Sequence, residues 1–351
     1  MSGVLPELRP GDAEPASPRA APTLEQVAAA AGVSRSTVSR VVNGSPKVSD
    51  DVVAAVQAAI TRMGYTPNRA ARSLANRRTM AIALVVPEDT TRFFGDPYFA
   101  AIADGISREI EQSDYVLTLQ LASPSSPSDK TIRYLLGGNV DGALVVSHHT
   151  GDAFLADLAA IMPVVYGGRP LDPADDASYF VDVDNESAAA SGVEYLIGRG
   201  HRRIATIAGP SDMPAGVDRL NGWRRALGAA GLADDLVAFG DFTMSGGARA
   251  MRELLDRETD LDAVLVASDL MALGAISALQ GRGMRVPDDI AVMGFDDSTA
   301  ALSGEVPLTT VRQPSTEMGA EMARMLLRLL DNGPTERATI MPTEVVVRAS
   351  A

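Results

Sequence analysis

Residues 23–49 constrain the fold more than any other stretch of this chain, because they predict two short helices joined by a tight turn. Thr23 and Gln26 have the spacing of a capping box, which predicts that the first helix begins immediately after Thr23. Gly32 allows a sharp turn, and the hydroxyl of Ser34 can cap the second helix. The stretch therefore predicts a small helical unit near the beginning of the chain.

The second predicted helix has an apolar inner side and a polar outer side. Three valines lie on the inner side, namely Val38, Val41 and Val42. Hydroxyl and guanidinium groups lie on the outer side, from Arg35, Ser36, Ser39 and Arg40. Hydroxyls suit phosphate oxygens, and guanidinium groups suit the edges of guanines. The pattern is typical of a helix that reads a DNA major groove, although an ordinary amphipathic pair with solvated arginines also produces it.

A third amphipathic helix is predicted over residues 50–63, and Gly64 follows it at a position that favours the left-handed conformation. Its predicted inner side consists of Val53, Val56 and Ile60. Three helices of this kind can enclose one small core.

Charge separates this part of the chain from the rest. Residues 22–78 contain eight basic and three acidic residues, for a net charge of +5, whereas the whole chain of 351 residues carries −14. Residues 79–351 therefore carry −18. A segment with so large a negative charge should not bind nucleic acid by itself. Contact with double-stranded DNA is therefore assigned to residues 22–78.

Several motifs resemble, in order and spacing, those of the LacI/GalR family of bacterial transcription regulators. Near the beginning of the chain they are VSRSTVSRVVNG (33–44), KVS (47–49), GYTPN (64–68) and ARSLA (71–75). Further along they are VDGALVVS (140–147), GHRRIATIAGP (200–210), RLNGWRRAL (219–227), ASDLMALGAI (267–276), VPDDIAVMGFDD (286–297) and LTTVRQP (308–314).

The resemblance implies roles for individual residues in DNA binding. Arg35 and Ser36 would be the pair that varies with the operator, and Arg40 would read a guanine. Phosphate contacts are implied for Thr23, Ser34, Thr37, Ser39, Asn43, Ser49 and Asn68. Two basic residues complete the predicted set, Lys47 and Arg69. Residues 69–76 would form a hinge helix that inserts Leu74 between base pairs, although a lone leucine can also be a minor packing contact.

Composition bounds the remaining possibilities. A chain of this length suits a head plus a body of about two domains. It contains no cysteine, which excludes disulfides, thiolate metal sites and cysteine nucleophiles and agrees with a cytoplasmic location. Residues 1–21 lack the apolar core of a signal peptide and are expected to be disordered. No apolar run approaches the length of a membrane span, so no membrane partner is expected.

The body alternates strand-like apolar runs with helical patterns, which predicts an α/β fold with parallel sheets covered by helices on both faces. The strand-like runs are Ala81–Val86, Val116–Leu121, Ala143–Val146, Val164–Tyr166, Arg203–Ala208, Ala263–Ala267 and Ile290–Gly294. One sheet would need too many strands, so two doubly wound subdomains are expected, with ligands beyond the carboxyl ends of the strands. The resemblance implies the periplasmic-binding-protein type I fold.

The expected domains follow from these patterns. A tail at 1–21 precedes an all-α helix-turn-helix domain at 22–66, a hinge at 67–78 and a body at 79–351. Within the body, the resemblance implies an N-subdomain of about 79–183 plus 311–328 and a C-subdomain of about 184–310 plus 329–351. The chain would then cross between the subdomains three times.

An effector site in the cleft between the subdomains is also implied. Its candidate residues are Asp96, Tyr98, Phe99, His148, Arg169, Arg219, Phe242, Ser268, Asp296 and Gln313. Asp296 would accept hydrogen bonds from sugar hydroxyls, while Phe242 would stack on the apolar face of a sugar ring. Two structural alternatives stay open: Asp296 caps a loop, and at least one of the adjacent Tyr98 and Phe99 packs into the core.

Other candidates have a less specific pattern. Ser268 stands where the family frequently has asparagine, and Asp269 can cap a helix instead of contacting a ligand. His148 and His149 point apart in any regular element and lack further metal-ligand spacing, so no metal is predicted. His148 is expected at the pocket edge, and a solvated loop is the alternative. No glycine-rich cofactor loop and no convincing nucleophile–base pair is present, so neither a cofactor nor an enzymatic activity is expected.

The sequence thus predicts a homodimeric repressor that a small molecule releases from a palindromic operator. The segments RSTVSRVVNGSPKVS and FGDPYFAAIADGIS look like those of family members that respond to cellobiose and related oligosaccharides, which favours an oligosaccharide or β-glucoside effector. A purine-type co-repressor is the alternative, because an aromatic pocket suits both ligands. A stand-alone sugar receptor shares the body fold but would lack residues 22–78.

Overall fold

A computed structural model describes residues 22–42, 47–65, 78–122, 129–170, 172, 177–258 and 260–351. The chain divides into two compact units, Met1–Arg77 and Arg78–Ala351, called the head and the body below. The helices of the head are α1 (Leu24–Ala31), α2 (Arg35–Val42) and α3 (Asp50–Met63).

Capping groups determine where the head helices begin and end. The Thr23 hydroxyl accepts the backbone N–H of Gln26, and the Gln26 side chain accepts the backbone N–H of Thr23, which confirms the predicted capping box. The Ser34 hydroxyl accepts the N–H of Thr37 in the first turn of α2. Gly32 and Gly64 both have positive φ, 69° and 64°, and end α1 and α3.

The core of the head is small and almost purely aliphatic. Its buried residues are Val27, Ala28, Val38, Val56, Ala59 and Tyr65, and Val41 and Val42 pack against them. The predicted inner side of α3 is correct at Val56 and Ile60. At Val53 the prediction was wrong: Val52 packs against the core instead, because the face of α3 that meets α1 and α2 is centred on Val56 and Ala59.

The body alternates strands and helices along its whole length. The helices are α4 (Thr90–Gly95), α5 (Pro97–Ile110), α6 (Asp129–Leu136), α7 (Phe154–Ile161), α8 (Asn185–Gly198), α9 (Pro214–Ala229), α10 (Met244–Arg257), α11 (Asp269–Gly281) and α12 (Ser315–Leu330), with a 3-10 turn at Thr299–Leu302. The strands are β1 (Ala81–Val86), β2 (Val116–Leu121), β3 (Gly142–Val146), β4 (Val164–Gly167), β5 (Tyr179–Val183), β6 (Ile204–Ala208), β7 (Val237–Phe239), β8 (Ala263–Val266), β9 (Ala291–Asp296), β10 (Thr309–Arg312), β11 (Ala338–Met341) and β12 (Glu344–Val346).

Two six-stranded sheets organise these elements. The first has the order β11-β5-β4-β3-β1-β2 with parallel pairing throughout, and the second has the order β12-β10-β9-β8-β6-β7, parallel except for β12. Apolar clusters cover both faces of each sheet. Buried runs such as AIALVV in β1 arise because both faces of a parallel sheet are covered by helices. The doubly wound α/β fold is therefore confirmed.

The chain passes between the sheets three times, after β5, after β10 and after β11. Two segments lie in a different subdomain from the one expected. Residues 311–312 complete β10 in the second sheet, whereas β11, expected in the C-subdomain, pairs with β5 in the first sheet. The physical reason is that α12 packs across the first sheet on β3, β4 and β5, so the strand that follows it returns to that sheet's edge.

The start of the body also differs from expectation. Arg78, expected at the end of the hinge, belongs to the body, where its guanidinium donates to the Leu330 carbonyl and pairs with Asp331 at 3.2 Å. The predicted tail (1–21) and the rest of the hinge lie outside the described residues. None of the helices in the described part of the chain is both long and apolar enough to cross a membrane.

Close packing of α5 on α12 generates a stability prediction. A Cβ added at Gly105 would lie 1.8 Å from the carbonyl oxygen of Thr316, whereas one added at Gly228, near the end of α9, meets nothing within 4 Å. We expect Gly105→Ala to lower the free energy of unfolding by about 1–3 kcal/mol. Gly228→Ala should raise it by about 0.5–1 kcal/mol, because alanine favours helix. Thermal denaturation of both variants measures this; equal shifts would contradict the packing.

Candidate functional site

The carboxyl ends of both sheets open onto one cavity in the body. It encloses about 640 Å³ of space between atoms, part of it open to solvent. Its lining combines residues that follow strands of the first sheet with residues that follow strands of the second. Eight of the ten predicted effector residues line it: Asp96, Tyr98, His148, Arg219, Phe242, Ser268, Asp296 and Gln313. The cavity therefore lies where doubly wound sheets bind ligands.

A buried polar network forms the floor on the side of the second sheet. Asp296 ends β9 with φ of 112°, and its carboxylate accepts a hydrogen bond of 2.7 Å from the side-chain amide of Gln313. The Arg219 guanidinium lies 3.4 Å from the same carboxylate oxygen. Burial raises the pKa of Asp296 well above its ordinary value, and Arg219 partly opposes this increase. Such a carboxyl group is suited to hydroxyl partners, because it can accept and share a proton.

Arg219 is held by partners on several elements. It donates to the side-chain oxygen of Asn185 at 2.9 Å and to the Ala267 carbonyl at 2.6 Å. Its guanidinium carbon lies 3.6 Å from the ring centroid of Phe295. The side chain is only 6% exposed, so these contacts replace nearly all of its hydration. The arginine therefore presents a fixed cation at the cavity.

A second arginine, Arg92 on α4, lies on the opposite side. It pairs with Asp96 at 3.1 Å and donates a hydrogen bond of 2.5 Å to the Phe242 carbonyl, which belongs to the other subdomain. Its guanidinium carbon lies 5.2 Å from the Phe242 ring centroid. Burial raises the pKa of Asp96, against the effect of Arg92. Arg92 thus links an acidic group and an aromatic ring at the cavity wall.

His148 contributes an unpaired acceptor. Its Nε2 lies 3.1 Å from the Arg169 carbonyl, and because a carbonyl can only accept, Nε2 carries the hydrogen. Burial lowers the pKa of His148 to about 4, so the ring is neutral at physiological pH. Among the described residues, its buried Nδ1 has no hydrogen-bond partner. This nitrogen is therefore available to accept a hydrogen bond from a ligand hydroxyl.

Two predicted effector residues do not line the cavity. Phe99 is 1% exposed and packs in the core of the first sheet, because it lies one position beyond Tyr98 on α5 and faces the sheet. Arg169 donates to Asp218 at 2.7 and 2.8 Å, so its guanidinium is already engaged. The predictions for Phe99 and Arg169 as lining residues were wrong.

The capping alternatives are also resolved. Ser268 is the N-cap of α11, and its hydroxyl accepts the N–H of Met271. Asp269 is not the cap: its buried carboxylate accepts from the Thr310 hydroxyl at 2.6 Å and from the Ser298 N–H at 2.8 Å. Burial raises the pKa of Asp269 to about 7. The Asp296 carboxylate bonds to the side chains of Gln313 and Arg219 instead of capping a loop, and it lines the cavity.

Several lining residues were not predicted from the sequence. They are Arg92, Ser147, Gly167, Gly168, Asp182, Asn185, Met213, Pro214, Ala215 and Met318. Asp182 shows one signal that was available: it is the only acidic residue in the apolar strand YFVDV, and burial raises its pKa to about 6. A buried carboxyl within a strand indicates a polar partner or a ligand.

The head exposes the surface that was predicted to contact DNA. On α2, Val38 is buried while Arg35, Ser36 and Arg40 are exposed, and Thr37 and Ser39 are half-buried. Arg35 pairs with Glu25 at 3.1 Å, but its side chain remains 73% exposed. Thr23, Ser34, Lys47 and Ser49 are exposed as well, and Ser49 caps α3 without a side-chain hydrogen bond. Four predicted contacts lie outside the described residues: Asn43, Asn68, Arg69 and Leu74.

Comparison with known proteins finds a family match in each of the two units. Residues 23–68 match the family described as bacterial regulatory proteins, lacI family, and residues 193–351 match the periplasmic binding protein-like domain. The chain is 48% identical to the HTH-type transcriptional regulator CelR of Thermobifida fusca over 337 residues, which cover 95% of this chain and 99% of CelR. The chain belongs to the LacI family.

Solved structures of LacI-family regulators have the same fold. The transcriptional regulator CelR–cellobiose complex is 46% identical with a TM-score of 0.73, covering 94% of this chain and 100% of that chain. The lac repressor dimer bound to operator and the anti-inducer ONPF is 27% identical with a TM-score of 0.82, covering 94% and 99%. This LacI-family protein is therefore a DNA-binding transcription regulator, not an enzyme.

Two arginines on α9 provide a matched test of the buried network. Arg219→Met removes the cation beside Asp296 and the donor to the side-chain oxygens of Asn185 and Gln313, so we expect the free energy of unfolding to fall by about 3 kcal/mol. Arg225 pairs with Glu186 at 2.7 Å but is 51% exposed, so Arg225→Met should change it by less than about 0.5 kcal/mol. Thermal denaturation compares them; similar losses would show that the network adds no stability.

Proposed function

We propose that this regulator represses transcription from a palindromic operator and releases it when a neutral sugar, cellobiose or a related β-glucoside, binds in the cavity of the body. Similarity along nearly the whole chain to a regulator with a solved cellobiose complex supports this assignment more than any other observation. The polar groups of the cavity agree with it.

Charge in the cavity favours a neutral ligand. Among the described lining residues, the cations are Arg92 and Arg219, and each already pairs with a carboxylate. Asp182 adds a further acidic group. An anionic ligand would therefore meet more carboxyl groups than available cations, whereas hydroxyls can bond to carboxylates, guanidinium groups and amides alike.

Ring and acceptor positions suit a sugar. The Phe242 ring can cover the C–H face of a pyranose, which buries apolar area without leaving a hydroxyl unpaired. His148 Nδ1 can accept one hydroxyl, and Asp296 and Gln313 can bond to others. We assign Tyr98 to the same wall, where burial raises the pKa of its hydroxyl and keeps it a neutral donor.

Release of DNA requires that the effector bind one form of the body more tightly than the other. The cavity takes lining residues from both subdomains, so a sugar there favours the closed arrangement. A tenfold population shift needs about 1.4 kcal/mol of differential affinity. We propose that two heads of a homodimer bind two half-sites in the bacterial cytoplasm, where the chromosome is located, and that closure weakens this binding.

Effector identity and the sign of the response can be tested together. Cellobiose should raise the melting temperature more than glucose, hypoxanthine or guanine, and should weaken the operator gel shift. Stabilisation by a purine with a stronger shift would overturn the proposal in favour of a co-repressor.

Phe242→Ala provides the residue-level test of the same site. It should weaken cellobiose binding by about 1–3 kcal/mol in calorimetry, because the sugar face loses its apolar cover. Phe239→Ala is the control, since Phe239 on β7 is 46% exposed and does not line the cavity. Equal affinities for both variants would remove Phe242 from the site.

Arg40→Ala tests the assignment of a base contact. Loss of a guanidinium fork at a guanine should weaken operator binding by about 1–3 kcal/mol and relax discrimination at that one base pair of each half-site. We assign Lys47 to a phosphate, so Lys47→Ala is the control and should weaken binding to all sequences equally. Fluorescence anisotropy with base-substituted operators measures both. Uniform weakening by Arg40→Ala would assign Arg40 to a phosphate.

A further inference from the structure

Two ionic contacts join the subdomains outside the cavity. Both end on residues 210–218, the segment that leads from β6 into α9. Arg169, which follows β4, donates two hydrogen bonds to Asp218, of 2.7 and 2.8 Å. The Nδ1 of His149, which follows β3, lies 3.0 Å from the Asp212 carboxylate. The Thr150 N–H also donates to the Asp212 carbonyl, at 3.1 Å.

We propose that the pairs Arg169–Asp218 and His149–Asp212 form a two-point clasp that holds the cleft closed and thereby sets the affinity for the effector. None of the four side chains lines the cavity, so they act as positioning residues and not as ligand contacts. The partners of each pair come from different subdomains. Opening of the cleft therefore separates both pairs. The link to effector affinity rests on the proposed sugar response.

The clasp acts on the helix that carries the main cation of the cavity. Asp218 immediately precedes Arg219 on α9, and Asp212 lies just before the helix begins. Anchoring both ends of this short segment restricts where the first turn of α9 can lie. Arg219 then reaches Asn185, Asp296 and Gln313 without further ordering when a ligand arrives.

The two ion pairs of the clasp respond differently to pH. Burial of His149 opposes its protonation, but hydrogen bonds to Glu88, which follows β1, and to Asp212 outweigh this and raise its pKa to about 9. The other charged groups of this cluster are Asp152, which accepts the His149 backbone N–H, and Arg92 of α4, which pairs with Glu88 at 3.7 Å. The adjacent His148 is neutral. Arg169 keeps its charge throughout the relevant range.

The sign of the pH effect follows from the contacts that opening breaks. When the cleft opens, His149 keeps Glu88 but loses Asp212, so its pKa falls in the open form. Protonation of His149 therefore favours closure. The His149–Asp212 pair therefore stabilises the closed form fully below the pKa that His149 has in the open form, and this stabilisation is lost as the pH rises through about 9.

Titration calorimetry of the full-length protein with cellobiose at pH 7 and pH 9.5 tests the clasp. Wild-type affinity should fall about three- to fivefold at the higher pH, the range expected for a partly exposed ion pair. Asp212→Asn should bind more weakly at pH 7 and lose the pH dependence. Asp218→Asn should also bind more weakly at pH 7 but should retain the fall. The clasp is overturned if both variants bind cellobiose with wild-type affinity. It is also overturned if the two variants show the same dependence of affinity on pH.

Hydrogen exchange at one pH, without sugar, separates this proposal from the sugar assignment. Exchange in peptides covering residues 147–153 should be faster in Asp212→Asn and Asp218→Asn than in the wild type, because the cross-cleft bond from Thr150 opens more often. Arg225→Gln, which breaks a surface pair within one subdomain, is the control and should leave exchange unchanged. Unchanged exchange in both clasp variants refutes the clasp. Absence of cellobiose binding to the wild type refutes the sugar assignment alone.

Discussion

Arg219 is the charge around which the cleft is built. A guanidinium that is only 6% exposed needs acceptors in place of water, and it obtains them from α8, from the residue after β8, from the last residue of β9 and from the residue after β10. Those acceptors come together only if the strands of the second sheet end at one edge. The parallel sheet therefore makes the binding site possible, and the arginine supplies hydrogen-bond donors to the acceptors buried at that edge.

The same arrangement explains how binding and closure are coupled. The walls belong to different subdomains, and the described contacts across the cleft include hydrogen bonds and ion pairs, such as that between His149 and the half-exposed Asp212. Contacts of this kind are individually weak when partly exposed, so they can hold a closed form without making it permanent. A ligand that bonds to both walls adds to them. In a cleft of this kind, modest binding energy can shift the equilibrium between the open and closed forms.

Much of the fold and part of the site could be predicted from the sequence because the signals are local. Capping pairs and glycines located the head helices, and seven apolar runs correspond to strands of the body. Arg169 was misassigned because its partner, Asp218, lies 49 residues away and meets it only in the folded body. Likewise β11 and β12 are separated by two residues yet join different sheets, and nothing in their short sequences distinguishes them. Arg92 was missed because α4 is a single short helix without a periodic pattern.

The position of Arg169 also changes how affinity in this cleft should be understood. A residue that contacts the ligand adds energy only when the ligand is present, whereas a clasp acts on the empty protein and changes the fraction that is ready to bind. Apparent affinity equals intrinsic affinity multiplied by that fraction. If the closed form is already populated, the effector needs less binding energy to complete closure, but the difference between the empty and the bound state becomes smaller. A clasp that is too strong would therefore abolish the response. This is a physical reason why one of its two ion pairs consists of a histidine and a half-exposed carboxylate instead of a second arginine pair.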